Sequence, residues 1–582
     1  MSKEVNRREF LKVSAIAGLT LSMVPDVIWA EEPDPLRLLK PKPTASGKLV
    51  GVEPIDPLVM EDHSDSFLAW REAKIQNRII VHIDSHIDIE WISDPDLKRI
   101  SAAQTKEKLS ELQLDPLHPE ERRFKPLTIM NYLYPAMKEK MAKELYWVLP
   151  DSFMGGGSVL NRFKEHLLET VDQLSIDMLN SFKLRKGVIK GQLFGIPFTV
   201  CKLSDLPSFR ETIVLDIDVD YFDPPNVRER IASPTLWPDD LISLLRKRKI
   251  SADLVSVCYS VRGGYLLLEH KFLGDDLAQM LKDPKGNDRV MTRRMKQRRA
   301  GVQDYAQGKY PEALREFQSA LENNPADPSL HYWLSRIYRQ MGKREEASAA
   351  SARASSLDRF YGNPLLYDAD YYLNKHIFDK ALASYEEILR REPNDLKAIL
   401  GAGVASSKQG KREKALAYYK KCIDRSPQYF LPYFDIAVLY TEQKKFNLAE
   451  EHFRNCVKLN PYFGKAWNDL ALLYFGQGEK EKAMEPFQKT VALNPCYKRA
   501  QNNIGILYAG QGKIDEAILH FRNATQIDSQ YGAAYRNLAR IHFLQGNLKE
   551  ALAASERALK LDPNNAQMIQ LRDEIRRNMK NP

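Results

Sequence analysis

The chain is poor in cysteine. It has 582 residues but only five cysteines, and no two of them show the C-x-x-C spacing of a zinc ribbon. An oxidising compartment would permit disulfides, but five thiols are an odd number and too few for a disulfide-built scaffold. The sequence therefore argues against a ribbon-type zinc protein and against a disulfide-rich fold.

Long apolar runs and dense basic runs are missing as well. Beyond the first 30 residues there is no stretch of about 20 apolar residues, so no membrane span is expected in the mature chain. The net charge of +9 is a mild excess for a chain that is 28% charged. No dense basic run indicates nucleic acid as a partner. The length allows several domains.

The first 30 residues are predicted to be a targeting segment. Arg7 and Arg8 precede a moderately apolar stretch, 13–24, which has the length of a signal-peptide core and is too short for a bilayer span. The run from Asn6 to Lys12 resembles the twin-arginine export signal of bacteria. Cleavage after Ala30 and a periplasmic or extracellular location are therefore expected. An uncleaved anchor or a chance basic N-terminus is the alternative.

Two short acidic clusters carry the strongest chemical signal. They are Asp84-Ser85-His86-Ile87-Asp88 and the segment 216–223, Asp-Ile-Asp-Val-Asp-Tyr-Phe-Asp. Each follows a run of apolar β-formers, which predicts a buried strand of a parallel sheet. Side chains at alternate positions of a strand lie on one side, so each cluster presents a row of donors where its strand ends. Carboxylates crowded there would repel one another without a cation, which indicates a divalent metal site.

Either cluster alone is open to another interpretation. The first could be an aspartate-rich turn. The second could be a calcium loop, although it lacks the glycine and the terminal glutamate of an EF-hand. Their joint occurrence, each at a strand end, favours a site that holds two metal ions.

A third motif strengthens this interpretation. His63 lies in Asp62-His63-Ser64, ahead of both clusters. The order Asp-His-Ser, Asp-x-His-x-Asp and Asp-x-Asp-x-x-Asp-Pro resembles the metal-binding signature of the arginase and ureohydrolase family. It is closest to a divergent branch whose studied members are peptide arginases. The segments 131–135, 146–150 and 253–260 also resemble that branch, and the resemblance covers about residues 57–270.

The resemblance implies a fold and a ligand set. The fold would be an arginase-like three-layer α/β domain with a mainly parallel sheet, and the site would hold two divalent ions, with Mn²⁺ the expected metal. Asp84 and Asp218 would bridge the two ions, while Asp216 would be structural and Asp223 a loop residue. Carried over residue by residue, the metal ligands would be His63, Asp84, His86, Asp88, Asp218 and Asp220.

The same resemblance implies an activity. It would be hydrolysis of a guanidino group, with arginine in a peptide or protein becoming ornithine and urea. The motifs do not place the residues that contact the substrate. Glu269, Asn131 and Glu90 are candidates for that role, and a surface charge or a helix cap stays open for each of them.

The second half of the sequence repeats every 34 residues. Proline, turn glycine, alanine and aromatic residues follow this period, as Pro495, Gly478, Ala483 and Phe487 do in one unit. The pattern resembles the tetratricopeptide repeat (TPR), which has two antiparallel helices per unit. Small residues let the paired helices approach, aromatic residues fill the gap, and proline ends the second helix. Stacked units form a superhelix with a concave groove, which would bind a peptide or protein segment; a spacer or dimer surface is the alternative.

The expected fold class is therefore α/β plus all-α, with the metal-binding domain followed by a helical solenoid. Cys422 and Cys456 lie one period apart on equivalent helices, beyond disulfide reach, so free buried thiols are expected for them. The predicted segments are a signal peptide at 1–30, a linker at 31–56, the α/β domain at 57–285, eight TPR units at 294–565 and a capping helix at 566–582.

Three functions remain open at this stage. The leading hypothesis is an exported hydrolase with two metal ions that cleaves a C–N bond in a polypeptide recruited by the repeats. A second is amide hydrolysis, as in the deacetylases related to arginase, which the full acidic ligand set disfavours. The third is a non-catalytic TPR scaffold or adaptor for protein–protein interaction with a structural metal site.

Overall fold

The computed structural model describes residues 47–580, apart from 91, 104, 115–124, 126, 129–130, 152, 155–157, 172, 223–233, 235, 262–265 and 287–288. The predicted signal peptide, most of the predicted linker and Asp223 lie outside the described residues. In the part of the chain that is described, none of the helices has both the length and the apolar character needed to cross a membrane.

A nine-stranded mixed sheet forms the centre of the first half. Its strands are β1 (Lys48–Leu49), β2 (Leu58–Met60), β3 (Arg78–Ile83), β4 (Ala142–Leu149), β5 (Lys183–Arg185), β6 (Val188–Leu193), β7 (Ile196–Lys202), β8 (Ile213–Asp218) and β9 (Ser251–Cys258). The strand order is β1-β9-β8-β3-β4-β7-β6-β5, with β2 also beside β9. The central pairs are parallel, whereas β1 and the β5–β6–β7 edge pair antiparallel.

Helices cover both faces of this sheet, which gives three layers. The central strands are apolar at nearly every position because both of their faces are buried: Val81 and Ile83 belong to one core and Ile80 to the other. The helices of this half are α1 (Ser64–Glu72), α2 (Asp94–Ala102), α3 (Lys106–Ser110), α4 (Leu133–Lys138), α5 (Val159–Thr170), α6 (Ile176–Ser181), α7 (Pro238–Lys247) and α8 (Phe272–Lys282).

Residues 47–56, which the sequence assigns to the linker, instead belong to the α/β domain. Strand β1 pairs with the start of β9, and the Ile55 N–H donates to Leu281 O at 2.8 Å. Val50 and Ile55 are buried in the core. The proline and lysine content of this stretch suggested a linker, but its few apolar side chains are enough to attach it to the sheet.

The second half consists of antiparallel helix pairs followed by a terminal helix. The helices are α9 (Arg289–Ala306), α10 (Tyr310–Asn323), α11 (Pro328–Gln340), α12 (Arg344–Leu357), α13 (Pro364–Asn374), α14 (Phe378–Arg391), α15 (Leu396–Lys408), α16 (Arg412–Arg425), α17 (Phe430–Glu442), α18 (Phe446–Leu459), α19 (Gly464–Gly476), α20 (Lys480–Leu493), α21 (Lys498–Gly510), α22 (Ile514–Ile527), α23 (Gly532–Leu544), α24 (Leu548–Leu561) and α25 (Ala566–Lys580). Each pair turns through one residue with positive φ, such as Gly478 at 80°. Where glycine is absent, His376 and Lys444 adopt the same left-handed conformation.

The helical half contacts the α/β domain at two separate places. At the first, Trp333 Nε1 donates to Glu269 O at 3.0 Å and the buried Arg298 pairs with Asp276. At the second, Gln173 Nε2 donates to Ala492 O at 2.8 Å and Asn180 Nδ2 donates to Gln526 O at 3.1 Å. Cys496 and Ile527 also join one core of the α/β domain. All five cysteines are buried free thiols, as expected for Cys422 and Cys456.

Candidate metal centre

The carboxyl edge of the sheet gathers side chains from distant parts of the chain. Strands β2, β9, β8 and β3 are parallel neighbours, so their carboxyl ends lie side by side. His63 follows β2, Asp84 follows β3, Asp218 ends β8 and Cys258 ends β9. This is the edge at which open parallel sheets position functional groups.

The structure brings together all six residues that the sequence predicts as metal ligands. His63 Nδ1 lies 3.0 Å from Asp88 Oδ2, 3.2 Å from Asp218 Oδ2 and 3.6 Å from Asp84 Oδ2. On the other side of Asp84, His86 Nδ1 lies 2.7 Å from Asp220 Oδ2 and 3.7 Å from Asp84 Oδ1. Asp84 thus contacts two neighbouring groups of donors, and we refer to the six side chains as the acidic cluster.

Short backbone turns hold two of these carboxylates in place. Asp84 Oδ1 accepts a hydrogen bond from the His86 N–H at 2.7 Å, and Asp218 Oδ1 accepts one from the Asp220 N–H at 2.9 Å. Each bond spans two residues, because an aspartate side chain readily caps the backbone just beyond it. Ser85 joins the two strand ends, since its N–H donates to Asp220 Oδ1 at 3.3 Å.

Beneath the acidic cluster lies a second buried polar group that sequence analysis partly missed. Asp216 accepts hydrogen bonds from Ser66, Ser256 and Tyr132, and its Oδ2 lies 3.0 Å from His82 Nδ1. These contacts agree with the structural role expected for Asp216. His82 could have been found, because it stands two residues before Asp84 on one strand and therefore on the same side.

Cys258 and Ser260 were also missed. Ser260 Oγ donates to Asp218 Oδ2, and Cys258 Sγ lies within 4.8 Å of donor atoms of His63 and Asp218. Both residues come from β9 and the residues just after it, a segment whose composition is apolar and gives no sign of ligand chemistry. Only the pairing of β9 with β8 reveals their position.

Burial makes the charge of this region costly. Five buried carboxylates, those of Asp84, Asp88, Asp216, Asp218 and Asp220, face three imidazoles, those of His63, His82 and His86. Even with every imidazole protonated, two negative charges in this described group stay uncompensated. A buried charge without a partner is strongly unfavourable, so protons or cations must be held here.

The pKa shifts of the carboxylates show the same imbalance. Burial and the charge of Asp84 raise the pKa of Asp88 to about 7. Burial, followed by repulsion from Asp220 and Asp84, raises the pKa of Asp218. Burial also acts on Asp84, but the charge of His82 and the hydrogen bonds from His82 and His86 hold its pKa well below the usual range. Asp84 therefore favours the anionic form, whereas Asp88 and Asp218 hold a proton more readily than an isolated aspartate does.

The donor set fits divalent ions. The donor atoms of His63, Asp84 and Asp88 lie within 4.8 Å of one another, as do those of Asp84, His86 and Asp220. Ligands about 2.0–2.2 Å from a common ion have separations in this range. His63 Nε2 is buried and has no hydrogen-bond partner among the described residues. Hard carboxylate oxygens with imidazole nitrogens suit manganese or a similar ion.

A cavity of about 1060 Å³ lies between the α/β domain and the helical half. Glu90 lines it and follows Asp88 by two residues. Asn131 also lines it, and the turn that contains Asn131 leads to Leu133, whose N–H donates to Asp88 O at 3.3 Å. The opposite wall comes from the ends of helices α17 to α21.

Comparison with known proteins identifies the helical half. Models of the tetratricopeptide repeat match residues 304–360, 368–430, 434–496 and 508–575. This part of the chain is a TPR array. The prediction of TPR units from the 34-residue period is therefore confirmed.

Individual relatives are similar over short parts of the chain. Hsp70-Hsp90 organizing protein 1 of Glycine max is 26% identical over 104 residues, which cover 18% of this chain and 18% of that protein. The crystal structure of MamA is 27% identical, covers 28% of this chain and 94% of its own, and has a TM-score of 0.26. YrrB, described as a TPR protein with an unusual peptide-binding site, is 19% identical and has a TM-score of 0.31. The match covers 32% of this chain and 97% of the YrrB chain.

The repeat models and the relative from Glycine max support protein–protein interaction as the function of the TPR array. They favour the scaffold alternative over hydrolysis, which was the leading hypothesis from sequence. The α/β domain lies outside the matched ranges, so its likeness to arginase stays a prediction.

The three candidates for substrate contact have different outcomes. Glu269 does not line the cavity, and its Oε2 is 2.9 Å from Arg336 Nη1 in the buried contact with the TPR array. The sequence could not show this, since Arg336 belongs to the other half of the chain. Asn131 Oδ1 accepts from the Thr128 N–H at 2.8 Å, so it supports its own turn while lining the cavity. Glu90 lines the cavity as well.

Proposed function

We propose that this protein binds a polypeptide segment with its TPR array and holds that segment in the cavity beside a metal centre formed by the acidic cluster. The observation that carries the proposal is the path of the array. It contacts the α/β domain at Trp333 and again at Leu493 and Gln526, and it forms one wall of the cavity. A scaffold that only linked two partners would not need a cavity of this size between the array and a second domain.

The cavity has the size and lining of a binding site for a peptide segment. Its volume of about 1060 Å³ is at the upper end of the range for small-ligand pockets. Aromatic residues from the loops of the array, such as Phe463 and Tyr497, form part of its wall. Such residues supply contact area at low entropic cost, which favours recognition of an extended chain.

A site-specific cross-link tests this binding mode. The photoreactive residue p-benzoylphenylalanine would replace Leu168 on the cavity wall, with Leu184 as the matched control because it is exposed on β5 and outside the cavity. After irradiation of the full chain with a pool of random-sequence peptides, we expect adducts at position 168 and none at 184. Equal labelling at both positions would contradict the proposal.

The metal centre is proposed from the donor set itself. His63, Asp84, Asp88, Asp218, His86 and Asp220 would hold two divalent ions, with Asp84 between them. When bound, these ions would polarise a water molecule and stabilise the charge that develops during cleavage of a C–N bond. The residues of the chain keep the ligands fixed: Ser260 orients Asp218, and Ser85 orients Asp220.

Hydrolysis of an arginine guanidino group in the bound polypeptide is the second candidate function. The observation that favours it is the convergence of all six ligands suggested by the arginase resemblance. Glu90, which lines the cavity and follows Asp88 by two residues, would pair with the guanidinium. Location outside the cytoplasm, reached by the twin-arginine pathway, is part of this proposal.

An assay for urea separates the two candidates. Manganese-loaded wild-type protein would be incubated with arginine-containing peptides, alongside Asp218→Ala and the control Glu211→Gln, whose side chain pairs with Lys143. If the protein is a hydrolase, the wild type and Glu211→Gln release urea and convert arginine to ornithine, whereas Asp218→Ala does neither. Peptide binding without urea from any of the three would leave the scaffold function.

A further inference from the structure

The charged side chains that line the cavity are separated by sign, because one wall carries the acidic side chains and the other wall carries the basic ones. The lining residues with acidic side chains are Glu90, Asp96 and Glu165, and all three belong to the α/β domain. Those with basic side chains are Lys465, Lys498 and Arg499, and all three belong to the TPR array. Among the described lining residues, neither wall mixes the two signs, so the cavity has one negative side and one positive side.

Helix ends add to the charge of the positive wall. Helices α17, α19 and α21 begin at the cavity, where Phe430, Gly464 and Lys498 line it. The residues just before these helices are Tyr429, Phe463 and Tyr497, instead of the serine, threonine or aspartate that usually caps a helix. The N-terminal end of each helix carries a partial positive charge. The three helix ends therefore add to the positive potential that Lys465 and Arg499 give this wall.

Some of these charges already have partners within the chain. Asp96 accepts from Arg99 Nη1 at 2.8 Å, and Lys498 Nζ lies 2.8 Å from Asp528 Oδ2. Lys465 lies 5.2 Å above the ring of Phe434, and Arg499 and Glu165 have exposed side chains. The side chains best placed to meet an occupant are therefore Lys465 and Arg499 on one wall and Glu165 on the other.

We propose that the cavity selects a polypeptide segment that carries a basic and an acidic residue close together, with the basic side chain against the α/β wall and the acidic one against the TPR wall. This inference rests on the proposed binding of a polypeptide in the cavity and specifies which polypeptide is bound. The sorted walls fix the orientation, because the reversed segment would place like charges in contact. The basic side chain then lies on the side of Glu90 and the acidic cluster.

Binding of designed peptides to the full chain tests the selectivity. The probes are capped glycine–serine peptides that carry one arginine and one glutamate at stepped separations, with matched peptides that carry only the arginine, only the glutamate or neither. We expect the best paired peptide to bind about five-fold or more tighter than either single-charge peptide, as measured by fluorescence anisotropy at low salt. High salt should remove the difference.

Variants assign each charge to its wall. The double variant Lys465→Ala, Arg499→Ala should bind the paired peptide only as tightly as it binds the arginine-only peptide. Its affinity for the arginine-only peptide should equal that of the wild type. Glu165→Gln should weaken the binding of the arginine-containing peptides only. Lys489→Ala is the matched control, because Lys489 is exposed on α20 and outside the cavity. In the charge-reversed double variant Lys465→Glu, Arg499→Glu, an additional probe peptide with two arginines should bind better than the paired peptide.

The possible outcomes separate this inference from the proposed function. If single-charge or neutral peptides bind as tightly as paired ones, the selectivity is wrong while polypeptide binding stands. The same conclusion follows if the cavity variants behave like Lys489→Ala. If no peptide binds the full chain at all, the proposed function fails and this inference fails with it.

Discussion

Asp216 and Asp218 lie two residues apart on one strand, yet their pKa values shift in opposite directions. Burial raises the pKa of Asp216, but the charges of His63 and His82 and a hydrogen bond from Ser256 lower it to about 2. For Asp218, burial and repulsion from neighbouring carboxylates dominate and raise the pKa. The charges of the neighbouring side chains, and not position on the strand, therefore decide which aspartate is satisfied within the chain and which one needs a cation.

Replacement of Asp218 by asparagine should impair metal binding without unfolding the domain. The change keeps the shape of the side chain and removes a carboxylate ligand, so we expect metal affinity to fall by at least about two orders of magnitude. Metal analysis after dialysis measures this loss directly. The Tm increase caused by Mn²⁺ should also disappear, since a ligand stabilises only the form that binds it. Asp239→Asn, at an exposed position, is the control, and equal metal content in both variants would refute the ligand assignment.

Asp435 should make the stability of the TPR array depend on pH. Burial, despite the nearby charges of Lys465 and Lys408, raises its pKa from 3.8 to about 7. The folded form thus holds the proton more tightly than the unfolded chain. Its stabilising effect is complete at low pH and is lost as the pH rises through 7.

Asp435→Asn mimics the protonated side chain and removes this dependence. We expect the variant to gain stability relative to the wild type between pH 5 and pH 8, on the order of 2 kcal/mol. Thermal unfolding at the two pH values measures the change. Asp424→Asn, at an exposed position on α16, should show none, and an equal pH response in both variants would contradict the prediction.

At the scale of the element, the helix pairs depend on close approach at small residues. A Cβ added at Gly505 of α21 would lie 2.6 Å from the ring of Phe521 on α22. Gly476 at the end of α19 has no atom within 4 Å of the same position. The first glycine permits packing, whereas the second leaves its helix without the stabilisation that alanine would provide.

These two glycines should therefore respond oppositely to alanine. Gly476→Ala should raise the free energy of unfolding by about 0.5 kcal/mol, since alanine favours helix. Gly505→Ala should lower it by about 1–3 kcal/mol because the phenyl ring must move. Tm values of the two variants and of the wild type are the measurement, and a shift of the same sign in both would exclude this explanation.

At the scale of the whole molecule, the second contact between the TPR array and the α/β domain closes the cavity. Gln173 and Asn180 donate side-chain hydrogen bonds to the main-chain oxygens of Ala492 and Gln526. The side chains of Cys496 and Ile527 add apolar contact. These interactions hold the end of α20 and the end of α22 on the domain.

Removal of the two donors should loosen this closure. We expect the double variant Gln173→Ala, Asn180→Ala to show faster hydrogen exchange at the ends of α20 and α22 and to bind peptides more weakly. Gln526→Ala is a close control, because its main-chain oxygen, and not its side chain, accepts the bond. Unchanged exchange in the double variant would mean that the apolar contact and the main-chain bond from Gln173 N–H to Leu493 O hold this closure without the two side chains.

The predicted export signal has its own test at this scale. Replacement of Arg7 and Arg8 by lysine should abolish transport by the twin-arginine pathway while a Lys3→Arg control is exported. Fractionation of bacterial cells, followed by immunoblotting, measures the distribution. Equal export of both variants would refute the signal assignment.

The sequence by itself determined the features that depend on local pattern. The 34-residue period specifies the TPR array because each unit packs only on its neighbours, and the apolar runs before Asp84 and Asp218 place these two residues at strand ends. The resemblance of the motifs to those of arginase named the six residues of the acidic cluster, whereas the pairing of β3 with β8 is what brings them together.

Only the tertiary structure decided what depends on contacts between the two halves. Glu269 pairs with Arg336 of the TPR array, and the cavity is formed by the return of that array to Gln173 and Asn180. No local pattern encodes such contacts, because the curvature of a helical stack accumulates over many units before it brings the distant surfaces together. The separation of basic and acidic walls in the cavity has the same origin.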